Sequence, residues 1–248
     1  MRTARAAAGA LAFLTRVPLG GRLTIGAGDV GEGAVFFPLV GTAVGASVAA
    51  TLVLLDGPLG SLLAAALALV AGTLLTGAMH LDALADTADS LGAVTRERAL
   101  EIMRDHSVGA YGSAAITLDL LIKTAALTEL AGGDGWRGVV VAATLARAVP
   151  LALASSLPYA RVGEPGAGRL LTDRLSRRRA AGGIVVAGAI AALLLGAEAV
   201  PLLAIAVATA ALLLRWFRRR LGGVTGDSLG ASVELSETLA LVVAVATL

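Results

Sequence analysis

The chain contains no cysteine, and only 3% of its residues are aromatic and 15% charged. Without cysteine, a disulfide framework, a thiolate zinc site and a cysteine nucleophile are all excluded. A soluble domain carries about 25% charged residues, so this chain has too little charge to cover a water-facing surface. The formal net charge is only +2, which gives non-specific nucleic-acid binding little support. What the 248 residues hold instead is apolar bulk, 57% hydrophobic, with 31 glycines. That content excludes disorder and predicts an all-α, polytopic membrane helix bundle forming one integral-membrane domain over residues 1–248.

Apolar runs near the roughly 20 residues needed to cross a bilayer recur along the chain. Seven are predicted: Gly33–Leu55, Pro58–Met79, Val108–Ala131, Gly138–Leu157, Ala180–Gly196, Val200–Trp216 and Leu229–Leu248. The fifth and sixth are short, and Glu198 and Pro201 mark a tight turn between them. Ala6–Leu14 reads as an interfacial N-terminal helix rather than a signal peptide, because Arg16 follows closely and no clean cleavage site precedes the next span.

Arginine placement sets the expected orientation. A cytoplasmic N-terminus puts four loops inside, carrying Arg2, Arg5, Arg16 and Arg22; Arg96, Arg98 and Arg104; Arg161, Arg169, Arg174 and Arg177–Arg179; and Arg215 with Arg218–Arg220. The outer loops then carry only Arg137. The runs at Arg177–Arg179 and Arg215–Arg220 read as anchors against anionic lipid. The expected location is the cell inner membrane.

The acids are not dispersed. In His80-Leu-Asp82-Ala-Leu-Ala-Asp86-Thr-Ala-Asp89 the aspartates stand at i, i+4 and i+7, within roughly 60° of arc on one helix face. Like charges at that spacing repel, and a nearby bilayer raises their cost. Cations would relieve it. All-oxygen ligands point to a hard ion such as Mg²⁺ or Mn²⁺, with Asp82, Asp86 and Asp89 as ligands and Asp86 able to bridge two ions about 4 Å apart.

A second group, Arg104-Asp105-His106-Ser-Val-Gly109-Ala-Tyr-Gly112, leads into the third span. Free N–H groups at that helix start suit an anion, and Gly109 and Gly112 permit close approach of a backbone or ligand. A third group follows a glycine-rich loop with Thr225. There Asp227, Glu234 and Glu237 fall near one face of the last helix. Within spans, Asp119 and Lys123 are i, i+4 partners, Arg147 has no local partner, and Pro38 and Pro150 interrupt hydrogen bonding. Arg147 must face the bundle, to meet an acid or a phosphate.

These groups can neutralise a diphosphate and assist displacement at phosphorus. Asp105, Asp227 and Glu234 are candidates for the base that an attacking hydroxyl needs. No Gly-x-x-x-x-Gly-Lys-[Ser/Thr] loop is present, so P-loop ATP hydrolysis is unsupported.

The motifs resemble those of the cobalamin synthase family. The matching stretches are Phe13-Leu-Thr-Arg-Val-Pro18, Phe37-Pro-Leu-Val-Gly41, Thr76 through Asp89, Ala99 through Asp105, Gly109-Ala-Tyr-Gly112, and Gly223-Val-Thr-Gly-Asp227 with Leu229-Gly-Ala and Glu234-Leu-Ser-Glu237. They follow the family's order. Two departures stand out: Ala83 and Ser90 replace the glycines of the family's aspartate motif, and His106-Ser107 replaces a Ser-Arg-like pair. The resemblance implies Mg²⁺-dependent transfer of adenosylcobinamide phosphate from adenosylcobinamide-GDP to a hydroxyl of α-ribazole or its 5′-phosphate, with GMP leaving. It implies metal at Asp82, Asp86 and Asp89, metal or base at Asp105 and Asp227, and phosphate at Arg104 and Arg147. His80, Lys123, Gly109 and Thr225 complete the candidate substrate contacts. Partners would be the two substrates and membrane lipid, and a homo-oligomer is compatible with the pattern. A lipid-directed CDP-alcohol phosphotransferase lacks its usual Asp-x-x-Asp-Gly-x-x-Ala-Arg pattern here. An ion-coupled carrier would place its charges near the midplane and show internal repeats; most of these acids gather at one end.

Overall fold

Long runs of alanine, leucine and valine can satisfy their backbone in lipid only as helices, and helices are what form. The computed structural model describes residues 2–18, 27–105, 107–161, 163 and 166–248; Arg22 and His106 lie outside these. Among the described residues there are thirteen α-helices and no named strand. They are α1 (Arg2–Leu14), α2 (Ala27–Gly33), α3 (Phe37–Leu59), α4 (Ser61–Thr76), α5 (Met79–Asp89), α6 (Arg96–Ile102), α7 (Ala110–Glu129), α8 (Gly135–Ala146), α9 (Val149–Ser156), α10 (Ala167–Thr172), α11 (Arg177–Leu195), α12 (Ala199–Arg220) and α13 (Gly226–Thr247).

By length and composition, five stretches can cross a bilayer, and a sixth if α4 and α5, bent by 90°, count as one. One of the five, Arg177–Arg220, has 44 residues and would reach about 66 Å as a straight rod. It folds back at Gly196, whose φ is +58°. Leu195 and Glu198 line a cavity with Glu129, Arg137, Val245 and Leu248. At the far ends of the same stretch, Arg179 pairs with Glu32 at 3.5 Å and Arg220 donates to the Ser90 carbonyl at 3.2 Å. With the two arms of this hairpin counted separately and α4 included, the described residues form seven apolar rods, whose cores overlap the seven predicted runs. The fifth and sixth are longer than predicted because Arg177–Arg179 and Arg218–Arg220 continue their helices.

The α8–α9 rod is the centre of the bundle, with every residue from Gly138 to Ala146 buried. Glycines bring α3 against it: a Cβ on Gly41 would lie 2.5 Å from the Ala143 carbonyl oxygen. Such small-residue contacts drive helix association in lipid. The outside is apolar, with Leu193 at 85%, Leu54 at 74% and Leu74 at 72% exposure, a surface suited to acyl chains. Two expectations about proline change. Pro38 falls in the first turn of α3, where its missing N–H costs nothing. Pro150 splits the fourth span into α8 and α9 and sits in the first turn of the second piece.

Several arginines act as staples. Arg220 donates to the carbonyls of Ser90, Leu91 and Ala93. Arg96 donates to the Ala160 carbonyl at 3.3 Å. At these two positions the guanidinium ties loops at the arginine-rich end, a use that the lipid-anchor reading of Arg220 did not include.

Candidate active site

α4 ends at Gly77 and α5 starts after Ala78, both left-handed with φ of +66° and +57°. This pair turns the chain by 90° and lays α5 along α7 and α13. Ala83, Leu84, Ala85 and Ala88 form its buried face. Gly230 allows the approach: a Cβ there would lie 2.5 Å from that of Ala83. The acids of α5 thereby come beside the start of α13.

Asp82 is exposed, and Asp86 and Asp89 are half-buried. Around Asp86 stand the carboxylates of Asp227, Asp82 and Asp89, with Arg161 as the offsetting cation. Arg161 donates to Asp227 Oδ2 at 2.8 Å and to the Met103 carbonyl at 3.1 Å. It is held there by a short pairing of two loops: Ala160 N–H donates to the Val224 carbonyl at 2.8 Å, and Val224 N–H to the Pro158 carbonyl at 2.9 Å. Gly223 fits beneath it, since a Cβ would lie 2.3 Å from the Pro158 oxygen.

Asp89 has a different environment from its two neighbours. Its Oδ2 accepts from Gly109 N–H at 2.7 Å and its Oδ1 from Gly112 N–H at 2.9 Å. The anion expected at the N-terminus of α7 is thus this carboxylate, which satisfies two orphan donors there. Gly109 and Gly112 do permit close approach, and the approaching group is Asp89: Cβ atoms would lie 2.5 and 2.4 Å from its oxygens. Gly112→Ala is expected to break both bonds and destabilise the protein by about 1–3 kcal/mol, read as a lower unfolding temperature in detergent.

A second cluster lies deep in the bundle. Lys123, the chain's single lysine, pairs with Asp119 at 3.3 Å as its spacing predicted, and also with Glu234 and, at 3.9 Å, Glu237. Arg147, expected to meet an acid or a phosphate, meets the acid Glu237. Thr238 donates to Asp119. Lys123, Arg147, Asp119 and Glu234 are all buried. The α13 acids are therefore divided: Asp227 joins the aspartates of α5, and Glu234 and Glu237 neutralise cations of α7 and the α8–α9 break. Lys123 and Glu234 hold each other, and Arg147 is held by Glu237.

The remaining predicted residues are placed as follows. Thr225 is buried and forms a reciprocal cap with Ser228, its Oγ1 accepting from Ser228 N–H at 3.0 Å, so its hydroxyl serves the start of α13. Arg104 and Asp105 are exposed on the segment after α6, where Asp105 Oδ1 accepts from Ser107 N–H at 3.1 Å. His80 is buried and its Nδ1 has no hydrogen-bond partner.

No group of three or more acidic or histidine side chains among the described residues is close enough to hold a metal ion. Asp82 and Asp86, one turn apart, still offer the hard oxygen donors that Mg²⁺ takes when one or two carboxylates and substrate phosphate share it. Asp227 faces them across the α5–α13 contact. The donor chemistry fits that ion. Beside them lies a cavity of about 310 Å³ reached by Asp82, Asp227 and His80.

The sequence of this site matches known proteins. A family model described as cobalamin-5-phosphate synthase covers residues 6–245. The chain belongs to that family. Among its relatives, the adenosylcobinamide-GDP ribazoletransferase of Leptothrix cholodnii is 40% identical over 241 residues, covering 93% of this chain and 91% of the relative. Its namesake in Shewanella amazonensis is 37% identical over 239 residues, covering 94% and 92%. That of Klebsiella pneumoniae is 39% identical over 240 residues, covering 94% and 96%. No solved structure matches.

Proposed function

We propose that this protein is an Mg²⁺-dependent adenosylcobinamide-GDP ribazoletransferase. A hydroxyl of α-ribazole, or of its 5′-phosphate, attacks the cobinamide-linked phosphorus; a new P–O bond forms, the bond to GMP breaks, and the hydroxyl proton passes to a base. The observation that carries this reading is the meeting of Asp82, Asp86 and Asp227 beside an apolar cavity, in a chain of this family.

Asp82 and Asp86 would hold Mg²⁺, which when bound offsets the charge of the diphosphate and of the leaving phosphate. Asp227 is the best-placed base, since it lines the cavity beside Asp82 while Glu234 lies outside that lining, buried against Lys123. Arg161 orients Asp227 through their 2.8 Å contact. The deep charges pair with one another, which speaks against a carrier that moves ions past them.

The test is release of GMP from adenosylcobinamide-GDP by purified protein, dependent on both α-ribazole and Mg²⁺. Absence of GMP, or transport without it, would overturn the reading.

The arginine-rich end, which holds the acids, faces the cytoplasm of a cell inner membrane in this proposal. The chain has no cysteine, so a single introduced thiol reports sidedness. Val94, 92% exposed at that end, is the position of choice. Val94→Cys is expected to react with an impermeant maleimide in inverted vesicles and not in intact spheroplasts; the opposite pattern reverses the orientation.

A further inference from the structure

We infer that the cavity between α1, α5 and α13 is the seat of the acceptor nucleoside, with its two-ring aromatic base inside and its ribose hydroxyls at the acids. The inference rests on the transferase reading above and adds to it a location, a binding mode and a role for the N-terminal helix.

The walls are apolar: Phe13, Phe37, Leu171, Leu229 and Val233 line the cavity. The Phe13 and Phe37 rings are stacked, with centroids 5.6 Å apart and planes at 20°. Flat rings pack well on such a surface. The polar lining is small and specific. Asp82 and Asp227 supply carboxylates, which only accept hydrogen bonds when ionised and so match hydroxyl donors; acids recognise ribose in this way in nucleotide-binding folds. His80, also in the lining, has Nδ1 buried without a partner. Such an atom is costly to bury unsatisfied, and a base nitrogen or hydroxyl of the ligand would satisfy it.

Size narrows the occupant further. A volume of about 310 Å³ is at the small end of the roughly 300–1,000 Å³ typical of ligand pockets. It suits a two-ring nucleoside and excludes a corrin, which must lie outside. A lipid chain would fill the apolar part but leave the carboxylates and His80 unmatched. A nucleoside seated here carries its hydroxyls to Asp82 and Asp227, the acids placed at the reacting phosphorus.

Equilibrium dialysis of α-ribazole against the purified full chain in detergent, with EDTA and without the guanylylated donor, tests this directly. The wild-type protein is expected to bind. Phe13→Ala removes half of the stacked wall and is expected to weaken binding about 10-fold or more, as loss of one stacking contact does. Val233→Phe fills the cavity and is expected to abolish binding. Both variants are checked for a wild-type unfolding temperature; Phe13 is only half-buried, so Phe13→Ala keeps the test valid if the larger substitution disturbs the fold. No binding by wild type, unchanged affinity in a folded Phe13→Ala variant, or displacement of α-ribazole by phospholipid but not by benzimidazole would overturn the assignment. GMP release by wild type with unaltered α-ribazole affinity in folded variants would refute the cavity alone. Binding at the cavity without GMP release would refute the transferase reading alone.

Discussion

Asp86→Asn abolishes turnover while the protein accumulates normally in the membrane: that is the expected result of the most direct test of the acidic site. Asp86 is half-buried among three other carboxylates. An amide there keeps the shape and removes the charge. If Asp86 and Asp82 hold a divalent ion against the diphosphate, rates should fall by about 10³-fold or more, equivalent to roughly 4 kcal/mol of transition-state stabilisation. Titration with Mg²⁺ provides the second readout, with a higher half-saturating concentration in any residual activity. Near-normal turnover at ordinary Mg²⁺ would reject the metal role. Removing one of four mutually repelling carboxylates should leave stability unchanged or improved, so a poorly folded Asp86→Asn protein would also count against this account.

The second large effect concerns folding rather than chemistry. Lys123→Met is expected to cost about 3–5 kcal/mol, the scale for breaking a buried ion pair on one side only. Asp119, Glu234 and Glu237 all face this ammonium group, and without it they face one another. The measurement is the yield and unfolding temperature of protein extracted in detergent. Pairing Lys123→Met with Glu234→Gln should recover part of the loss, because the double variant removes an uncompensated charge. A substrate-binding role for Lys123 predicts the reverse: full yield, lost affinity and no rescue. Wild-type yield and unfolding temperature in Lys123→Met would overturn the structural assignment.

How far the sequence carries this far depends on the range of the interactions. The seven rods follow from hydropathy, which is a local property, and their cores agree with the predicted runs. The stripe of Asp82, Asp86 and Asp89 is likewise legible, since i, i+4, i+7 spacing fixes a face once a helix exists. The direction of Asp89 is not. Its partners are 20 and 23 residues away, on a helix whose crossing with α5 no local pattern encodes. The glycines at 109 and 112 signalled an intimate contact without saying with what. Arg147 meets Glu237 across 90 residues for the same reason. Arg161 was counted only as one of many inner-loop charges in an arginine-rich loop, with no role at the site. Only the pairing of residues 158–160 with Val224 brings it to Asp227. Thr225 looked like a ligand contact because it lies in a glycine-rich loop, whereas its spacing to Ser228 was the better signal of a helix cap.

The clasp between Asp89 and the start of α7 has a mechanical consequence. A single carboxylate gripping two amides ties α5 to α7, so the helix that carries Asp82 to the cavity is braced from behind. Across the cavity from α5, α1 contributes Ala12, Phe13 and Leu14 to the wall. The N-terminal helix is then less a float on the lipid surface than one side of the chamber, with Ala6, Ala10 and Leu14 buried against the bundle.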